Sequence, residues 1–583
     1  MEAPRFEIPD CPSEHVELLV RELEVSGALA QVLVRRGLAD PDGASAFLAA
    51  SEEHPPGAFA GIADAVGLIA AHLREGRRIT VHGDYDVDGV CSTAVLVRAL
   101  RRLGAEVDWY LPDRADGYGL SGETVRRLAA RGTRLLVTVD CAITAVEEVA
   151  TAKALGMDVI VTDHHSARAD GVLPRAPIVH PRLCGYPCAD LGATAVAYKL
   201  AQALCQAYGR DVRELADDLD LVALATVADV VPLLGENRTL VRRGLRALAA
   251  TRKPGLRALM AVARVAGGTV GERALGFALA PRLNAAGRLA RADAALELIL
   301  AECPVRAGEV AAELDRVNVE RRALERRILF EAEAQLRGQD QSTAYVLAGE
   351  GWHAGVIGIV ASRLSDRLNR PVVLIALAGG RGKGSGRSIE GFDLLAGLRA
   401  CSEHLLRYGG HRAAAGLEIE RASVAPFAAA LRSHAEHALA GRDAVAVERV
   451  DAIVGGNELD MRLAEELQSM APFGCANPSV SLMVSDATFR NCRPMGEGRH
   501  SRFEVQSCGA RTRAVAFGSG GRLPVDEGVP AQATFSLEVN EWAGVAEPRL
   551  RLRQACPAPV RGARVVAPAH PPQEQELVLF SLP

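Results

Sequence analysis

The sequence predicts a multidomain α/β fold: a parallel-sheet domain, a long connecting helix, a second α/β domain and a small C-terminal β-barrel. Three observations predict it. Short apolar runs alternate with helical stretches and few tight hairpin signals after about residue 56, as in a parallel sheet covered on both faces. Arginine and glutamate interleave from Arg306 to Arg337, the pattern of a solvated helix. Beyond about residue 440, short β-type runs separated by Gly and Pro replace the alternation. A chain of 583 residues also exceeds one core, at ~100 to 200 residues per domain.

The elements follow in order. Residues 14 to 50 read as short helices of an N-terminal cap, placed at 1–55. ITVH (79 to 82) is a buried strand and CSTAVLVRALRRLG (91 to 104) an amphipathic helix. EVDWYLP is a strand, and SGETVRRLAARG a helix with a serine start. LLVTVD (135 to 140) and DVIVTDHH (158 to 165) are further strands, separated by a helical stretch at 144 to 155. Helices dominate from 190 to 300, so the first α/β domain is placed at 56–300 and the connecting helix at 301–340. The second α/β domain is placed at 341–440. FEVQ, RAVAFG, ATFSLEVN and PRLRLRQ then build the barrel at 441–556, before a flexible tail at 557–583.

Composition narrows the function classes. Hydrophobic residues make up 49% and charged residues 24%, which excludes a wholly disordered chain. Basic residues number 67 against 72 acidic, a net charge of -5, so no uniformly basic coat can hold a polyanion. Lysine occurs only at Lys153, Lys199, Lys253 and Lys383, so the positive charge is almost all arginine. No basic segment leads into an apolar run, and twelve scattered cysteines make no framework, so a cytoplasmic protein with reduced thiols is expected. His180, Cys184 and Cys188 have zinc-like spacing but no fourth ligand nearby, and reduced structural thiols are expected there.

The strongest chemical signal is HGDYDVDG (82 to 89). Asp84, Asp86 and Asp88 follow a buried strand at every second position, and three close carboxylates repel one another unless a cation is present. An EF-hand loop opens the same way but needs Glu at its twelfth position, where Val95 stands. Asp140 ends LLVTVD; Asp163, His164 and His165 end VIVTDHH; Asp229 lies in ATVADVVPL. Residues just past the carboxyl ends of parallel strands converge in one crevice. Carboxylate with imidazole and no thiolate suits Mn²⁺, and Mg²⁺ less well. RGKGSGR has a superficial likeness to a P-loop, but Leu377 and Gly384 stand where that motif needs Gly and Ser or Thr, so no ATP site is expected.

HGDYDVDG, VTVD, VTDHH and TVADVVP, in this order, resemble the successive motifs of the DHH phosphoesterase superfamily. PRLNAAGR (281 to 288), GWHAGVIGIVASRL (351 to 364), GSGRSIEGFDLL (384 to 395) and GGHRAAAG (409 to 416) extend the resemblance to the RecJ family of single-strand-specific exonucleases, with its DHH-associated (DHHA1) domain and OB-like barrel. It covers roughly residues 20 to 555. Two small departures stand out: Ala354 where the family usually has proline, and FGCANP (473 to 478) as a variant of its usual glycine-rich form.

The resemblance implies 5′ to 3′ hydrolysis of single-stranded DNA to mononucleotides by two divalent metal ions, Mn²⁺ or Mg²⁺, in DNA repair and recombination. Two ions ~3.5 to 4 Å apart activate water and stabilise the leaving oxygen. It implies Asp84, Asp86, Asp140, His164 and Asp229 as metal ligands, with Asp140 bridging. Asp86, Asp140, His165 and Asp88 are the expected catalytic set, with Asp163 in support. Arg387 in GSGRS is expected to fork onto phosphate, with Gly409, Gly410 and His411 in the same grip and Arg282, Asn284 and Arg288 beside it. The barrel arginines and Trp542 are expected to offer stacking and a basic track. Gln575, Leu577, Leu579 and Phe580 in QELVLF resemble tail motifs that dock on the sliding clamp. A single-strand-binding protein and a RecQ-type helicase are the other implied partners, and no membrane is involved. The rival readings are a DHH phosphatase acting on oligoribonucleotides, cyclic dinucleotides or pyrophosphate, and a non-catalytic replication scaffold. The extra barrel argues for a long polymer, and the full ligand set argues against a scaffold.

Overall fold

The computed structural model describes residues 5–113, 119–265, 270–289, 292–337, 342–440, 447–542 and 545–558. Among the described residues, contacts divide the chain into two compact units, one built on residues 52–440 with 474–476, the other on residues 5–51, 447–473 and 477–558.

The first unit opens with a five-stranded sheet. Its strands are β1 (Ile79–His82), β2 (Val107–Tyr110), β3 (Leu135–Val139), β4 (Asp158–Thr162) and β5 (Ile178–Val179). Every pairing is parallel and the spatial order is β2-β1-β3-β4-β5. The order reverses between β1 and β3, which opens a crevice at their carboxyl ends. Val81, Val137 and Ile160 are fully buried on these strands, which accounts for their continuous apolar sequence.

The helix after β1, α1 (Val87–Arg102), begins four residues earlier than its apolar pattern. Asp86 is the cause: its carboxylate accepts the N–H groups of Asp88 and Gly89 at 3.0 and 3.1 Å and caps the helix. Half of the acidic motif therefore lies in a helix's first turn. The helical region that follows contains α2 (Ala193–Ala207), α3 (Leu219–Ala228) and α4 (Ala280–Leu289).

The connecting helix α5 (Pro304–Leu336) runs for 33 residues. It is less solvated than its charge pattern implies. Ala307, Val310, Ala311 and Leu314 join the core of the first domain, and Ile328 and Ala332 join that of the second. The second domain comprises β6 (Tyr345–Glu350), α6 (Ala354–Leu368), β7 (Val372–Ala378), β8 (Arg381–Arg387), β9 (Arg407–Gly410) and β10 (Ala414–Glu420). Its sheet runs β9-β10-β8-β7-β6, with only β6 and β7 parallel. RGKGSGR is strand β8, not a phosphate-binding loop.

In the other unit the helices Ser13–Leu23, Gly27–Arg35 and Pro41–Ala49 share a core with the barrel, through Leu19, Leu29 and Leu33 beside Val484, Phe489 and Phe535. The barrel strands are β11 (Leu482–Met495), β12 (His500–Ser507), β13 (Ala510–Ala516), β14 (Pro530–Trp542) and β15 (Val545–Pro557). They run β11-β12-β13-β15-β14, and pairing of β14 with β11 closes the barrel.

Candidate metal centre

The loop after β1 is clamped from two sides. Gly89, in the first turn of α1, lies so close to Asp84 that a Cβ would sit 2.4 Å from the Asp84 nitrogen and 2.5 Å from its oxygen. Gly287 on α4 does the same from the opposite side, where a Cβ would meet the Tyr85 oxygen at 2.4 Å. From the same helix, Asn284 Oδ1 accepts the Val87 N–H at 3.1 Å. The aspartates are thus fixed by backbone contacts before any cation binds.

Three overlapping groups of ligand atoms result, each with all its atoms within 4.8 Å of one another: Asp84, Asp86 and Asp140; Asp140, His164 and His165; and Asp88, His164 and Asp229. Asp140 and His164 each belong to two groups, the arrangement expected of ligands shared between two cations. Asp140 follows β3 in the left-handed backbone region, at φ 61°, which aims its carboxylate into the crevice. His164 Nε2 faces Asp140 Oδ1 at 3.3 Å, Asp229 Oδ2 at 3.7 Å and Asp88 Oδ2 at 4.0 Å.

Both ring nitrogens of buried His164 and Oδ2 of Asp229 lack a hydrogen-bond partner among the described residues. Such atoms cost ~1 to 3 kcal/mol each unless something meets them. Burial, then the charges of Asp88 and Asp86, push the Asp140 and Asp229 carboxyls well above their usual range. Burial, then the charge of His165, pushes His164 well below its usual value, leaving it a neutral donor. Carboxylate oxygens with a neutral imidazole, mutually repelling and partly unpaired, fit divalent cations.

The neighbouring residues hold this set. Asp163 accepts the N–H groups of Ile143, His164 and His165 at 2.9, 2.7 and 3.1 Å, and meets His165 Nδ1 at 2.7 Å. Burial lowers His165, but the charges of Asp163, Asp84 and Asp86 outweigh it and raise the imidazole above its usual value. Asp88 anchors α2 by accepting the N–H groups of Ala193 and Thr194 at 3.1 and 2.8 Å and the Thr194 hydroxyl. Burial first, against those hydrogen bonds, moves its carboxyl to about 6. His180 Nε2–H donates to the His165 carbonyl at 2.8 Å while its Nδ1 accepts the Leu183 N–H at 3.3 Å, so both nitrogens are occupied. Cys184 and Cys188 are free thiols.

The residues expected to hold phosphate divide into two sets. Arg387 ends β8 half-buried, with hydrogen bonds to Ser385 Oγ and Gly386 O at 3.0 and 2.8 Å. No carboxylate lies within 4 Å of its guanidinium among the described residues, and burial pulls its pKa down to about 10. His411 follows Gly409 and Gly410 of β9; burial, then the charge of His165, lowers it, so this loop lies within electrostatic reach of the cluster. Arg282, by contrast, is tied to Asp315 of α5 at 2.8 Å and to the Ala278 carbonyl at 2.6 Å. Arg288 donates to the Gly355 carbonyl at 3.0 Å and links α4 to α6. Asn284 holds the acidic loop. The Trp542 side chain and Gln575, Leu577, Leu579 and Phe580 lie outside the described residues.

Family models match three segments: the DHH family N-terminal domain at 78–226, the DHHA1 domain at 340–437 and the RecJ OB domain at 450–554. The single-stranded-DNA-specific exonuclease RecJ of Bacillus subtilis is 36% identical over 569 residues, 94% of this chain and 70% of that protein. The Escherichia coli protein of the same name is 37% identical over 521 residues, 83% of this chain and 88% of its own. This chain belongs to the RecJ family. RecJ of Thermus thermophilus, solved in complex with Mn²⁺, matches with a TM-score of 0.83 and 31% identity, over 97% of this chain and 81% of that one. A second structure of that RecJ, in complex with Mg²⁺, matches with a TM-score of 0.76 and 30% identity, over 94% of this chain and 78% of that one.

Against the RecJ pattern, Ala354 is the first residue of α6, capped by His353, whose Nδ1 accepts the Gly355 N–H at 3.1 Å. Proline and alanine both suit that first helical position, so the departure leaves the helix intact. One exposed aromatic was not anticipated. Phe277, 81% exposed, sits on a π-helical turn just before α4, with Arg273 5.9 Å from its ring centre. Leu275, Leu279 and Leu283 form the buried stripe at helical spacing, and Phe277 falls off it; that mismatch was readable.

Proposed function

We propose that this chain is a metal-dependent, single-strand-specific DNA exonuclease that works from the 5′ end to release mononucleotides, in DNA repair and recombination. The carrying observation is the carboxylate and imidazole cluster at the β1/β3 switch point, with the His411 loop of the second domain within electrostatic reach. Asp84, Asp86, Asp140, His164 and Asp229 would hold two divalent cations, Mn²⁺ or Mg²⁺. When bound, the cations activate water and stabilise charge on the leaving oxygen.

The chain's own residues do the rest. Asp163 fixes His165 through two hydrogen bonds, holds the neighbouring Ile143 and His164 backbone through two more, and favours the protonated form of His165, so the imidazolium stands ready beside a phosphate. Asp88 keeps α2 seated and faces His164. Arg387, without a carboxylate partner, is available to pair with the phosphate, and Gly409, Gly410 and His411 shape the same wall. Arg282, Asn284 and Arg288 act at one remove, by fixing α4 against α5, the acidic loop and α6.

A single-strand-binding protein and a RecQ-type helicase are the proposed partners, and the tail at Gln575, Leu577, Leu579 and Phe580 is proposed to dock on a sliding clamp. Deleting the last ten residues should then abolish clamp binding; unchanged affinity refutes that part. A cytoplasmic location is in keeping with twelve free thiols. The decisive experiment follows product release from 5′-labelled single-stranded DNA, duplex DNA and short RNA with Mn²⁺. Digestion of the single strand, lost in Asp86→Ala, is the expected result. A preference for di- to pentaribonucleotides, or full activity in Asp140→Ala, overturns the reading.

A further inference from the structure

The carboxylates of the metal centre are not all aimed in the same way. Those of Asp86, Asp88 and Asp163 are each oriented by backbone N–H groups that they accept. Asp229 has no such support. Among the described residues its side chain accepts no hydrogen bond and only faces His164 Nε2, at 3.7 Å. Its backbone alone aims it.

That backbone holds a costly shape. Asp229 ends α3, donating its N–H to the Ala225 carbonyl at 2.9 Å. The Val230 and Val231 N–H groups then turn back to the Val227 and Thr226 carbonyls at 3.4 and 3.2 Å, the paired bonds that close a helix through a left-handed residue. Glycine usually fills that position. Here it is Val230, at φ 59°, where a β-branched side chain is strained. Such a turn persists only where surrounding contacts over-determine it.

The contacts come from FGCANP, a segment with no place in the metal centre itself. Its residues Gly474–Ala476 belong to the same compact unit as α3. The Leu233 N–H donates to the Cys475 carbonyl at 2.9 Å, and the Leu233 side chain is buried. Gly474 lies against that side chain, so close that a Cβ there would sit 2.8 Å from Leu233 Cδ1. Ala476 is left-handed, at φ 57°, a turn that suits a glycine-rich segment. With Val231 also fully buried, the stretch from Asp229 to Leu233 is gripped at both ends and seated in the middle.

We propose that Gly474 and Cys475 are positioning residues of the metal centre: the Cys475 carbonyl clips Leu233, and the clip holds the strained turn that aims Asp229. The clip rests on the two-cation reading above. Its loss should be felt selectively. Asp229 shares a ligand group with Asp88 and His164, but not the group of Asp84, Asp86 and Asp140. A loosened clip therefore weakens one cation and spares the other, whereas general unfolding loses both.

The test is Mn²⁺ binding calorimetry on the full metal-free chain, with a thermal melt of each variant in EDTA. Gly474→Val pushes Leu233 away from the Cys475 carbonyl, and one of two Mn²⁺ ions should bind ~10- to 100-fold more weakly, as on loss of an outer support. Leu233→Ala/Gly474→Val removes as many carbon atoms as it adds, so the double variant should recover much of that affinity. Gly474→Ala intrudes less and should show the same selective loss on a smaller scale, which keeps the test open if Gly474→Val does not fold. Cys475→Ala keeps the carbonyl and should bind both ions as the wild type does.

Unchanged Mn²⁺ affinities in the Gly474 variants overturn the clip, and so does equal weakening of both ions. A loss in Cys475→Ala as large as that in Gly474→Val also overturns it, by assigning the effect to the thiol. Unaffected variants beside a wild type that binds two ions leave the metal reading intact, whereas a wild type that binds no Mn²⁺ defeats both.

Discussion

Asn284 Oδ1 accepts the Val87 N–H at 3.1 Å, joining residues 197 positions apart in the chain. That bond ties α4 to the loop carrying Asp84 and Asp86, and it makes Asn284 a support of the metal centre. Asn284→Ala strands a backbone donor, a cost of ~1 to 3 kcal/mol. Mn²⁺ titration calorimetry should show affinity weakened ~10- to 100-fold, as for other outer supports of metal ligands. Asn284→Asp, which keeps the acceptor, should retain most of it.

Asp163 makes four contacts with the segment it orders. In Asp163→Asn the geometry is nearly kept but the charge that favours protonated His165 is gone. The turnover rate should fall by up to ~100-fold, the low end of what acid–base catalysis contributes. The acidic ionisation that governs His165 should move to lower pH in the rate profile. An unshifted profile would show that His165 does not titrate in the reaction.

Arg387 should contribute through a charged hydrogen bond to phosphate, worth ~1.5 to 3 kcal/mol. Arg387→Ala should lower kcat/KM by ~10- to 200-fold on any strand sequence. Lysine restores charge but not the planar fork, so Arg387→Lys should recover only part of the loss.

His82 is fully buried behind the crevice, its Nδ1 3.6 Å from the Cys141 thiol. Burial lowers its pKa to about 4 from the usual 6.5. The unfolded chain therefore takes up this proton first as pH falls. The contribution to stability is complete above about pH 7.5 and is lost as pH falls from 6.5 through 4, by up to about 3 kcal/mol. Urea unfolding should show a steeper acid loss in wild type than in His82→Gln.

Much of this was legible in the sequence because the acidic motifs sit at strand ends. Apolar runs such as LLVTV fix β3, and an open parallel sheet leaves few places for the residue after it. Asp84, Asp140, His164 and Asp229 were therefore found without coordinates. Arg282, Asn284 and Arg288 show the limit. A polar residue on a helix gives no sign of whether it faces substrate or another segment, and here Asp315, Val87 and Gly355 are their partners. β11 escaped because its bulges break the period-two alternation.

The left-handed backbone at Asp140, φ 61°, sets stability and activity against each other at one position. Glycine there relieves strain of order 1 to 3 kcal/mol and removes one of the crowded carboxylates. A library screened only for heat resistance in chelator should therefore enrich Asp140→Gly and discard the nuclease. Selection for robustness must be coupled to strand degradation, or it will drive this enzyme toward an inert scaffold.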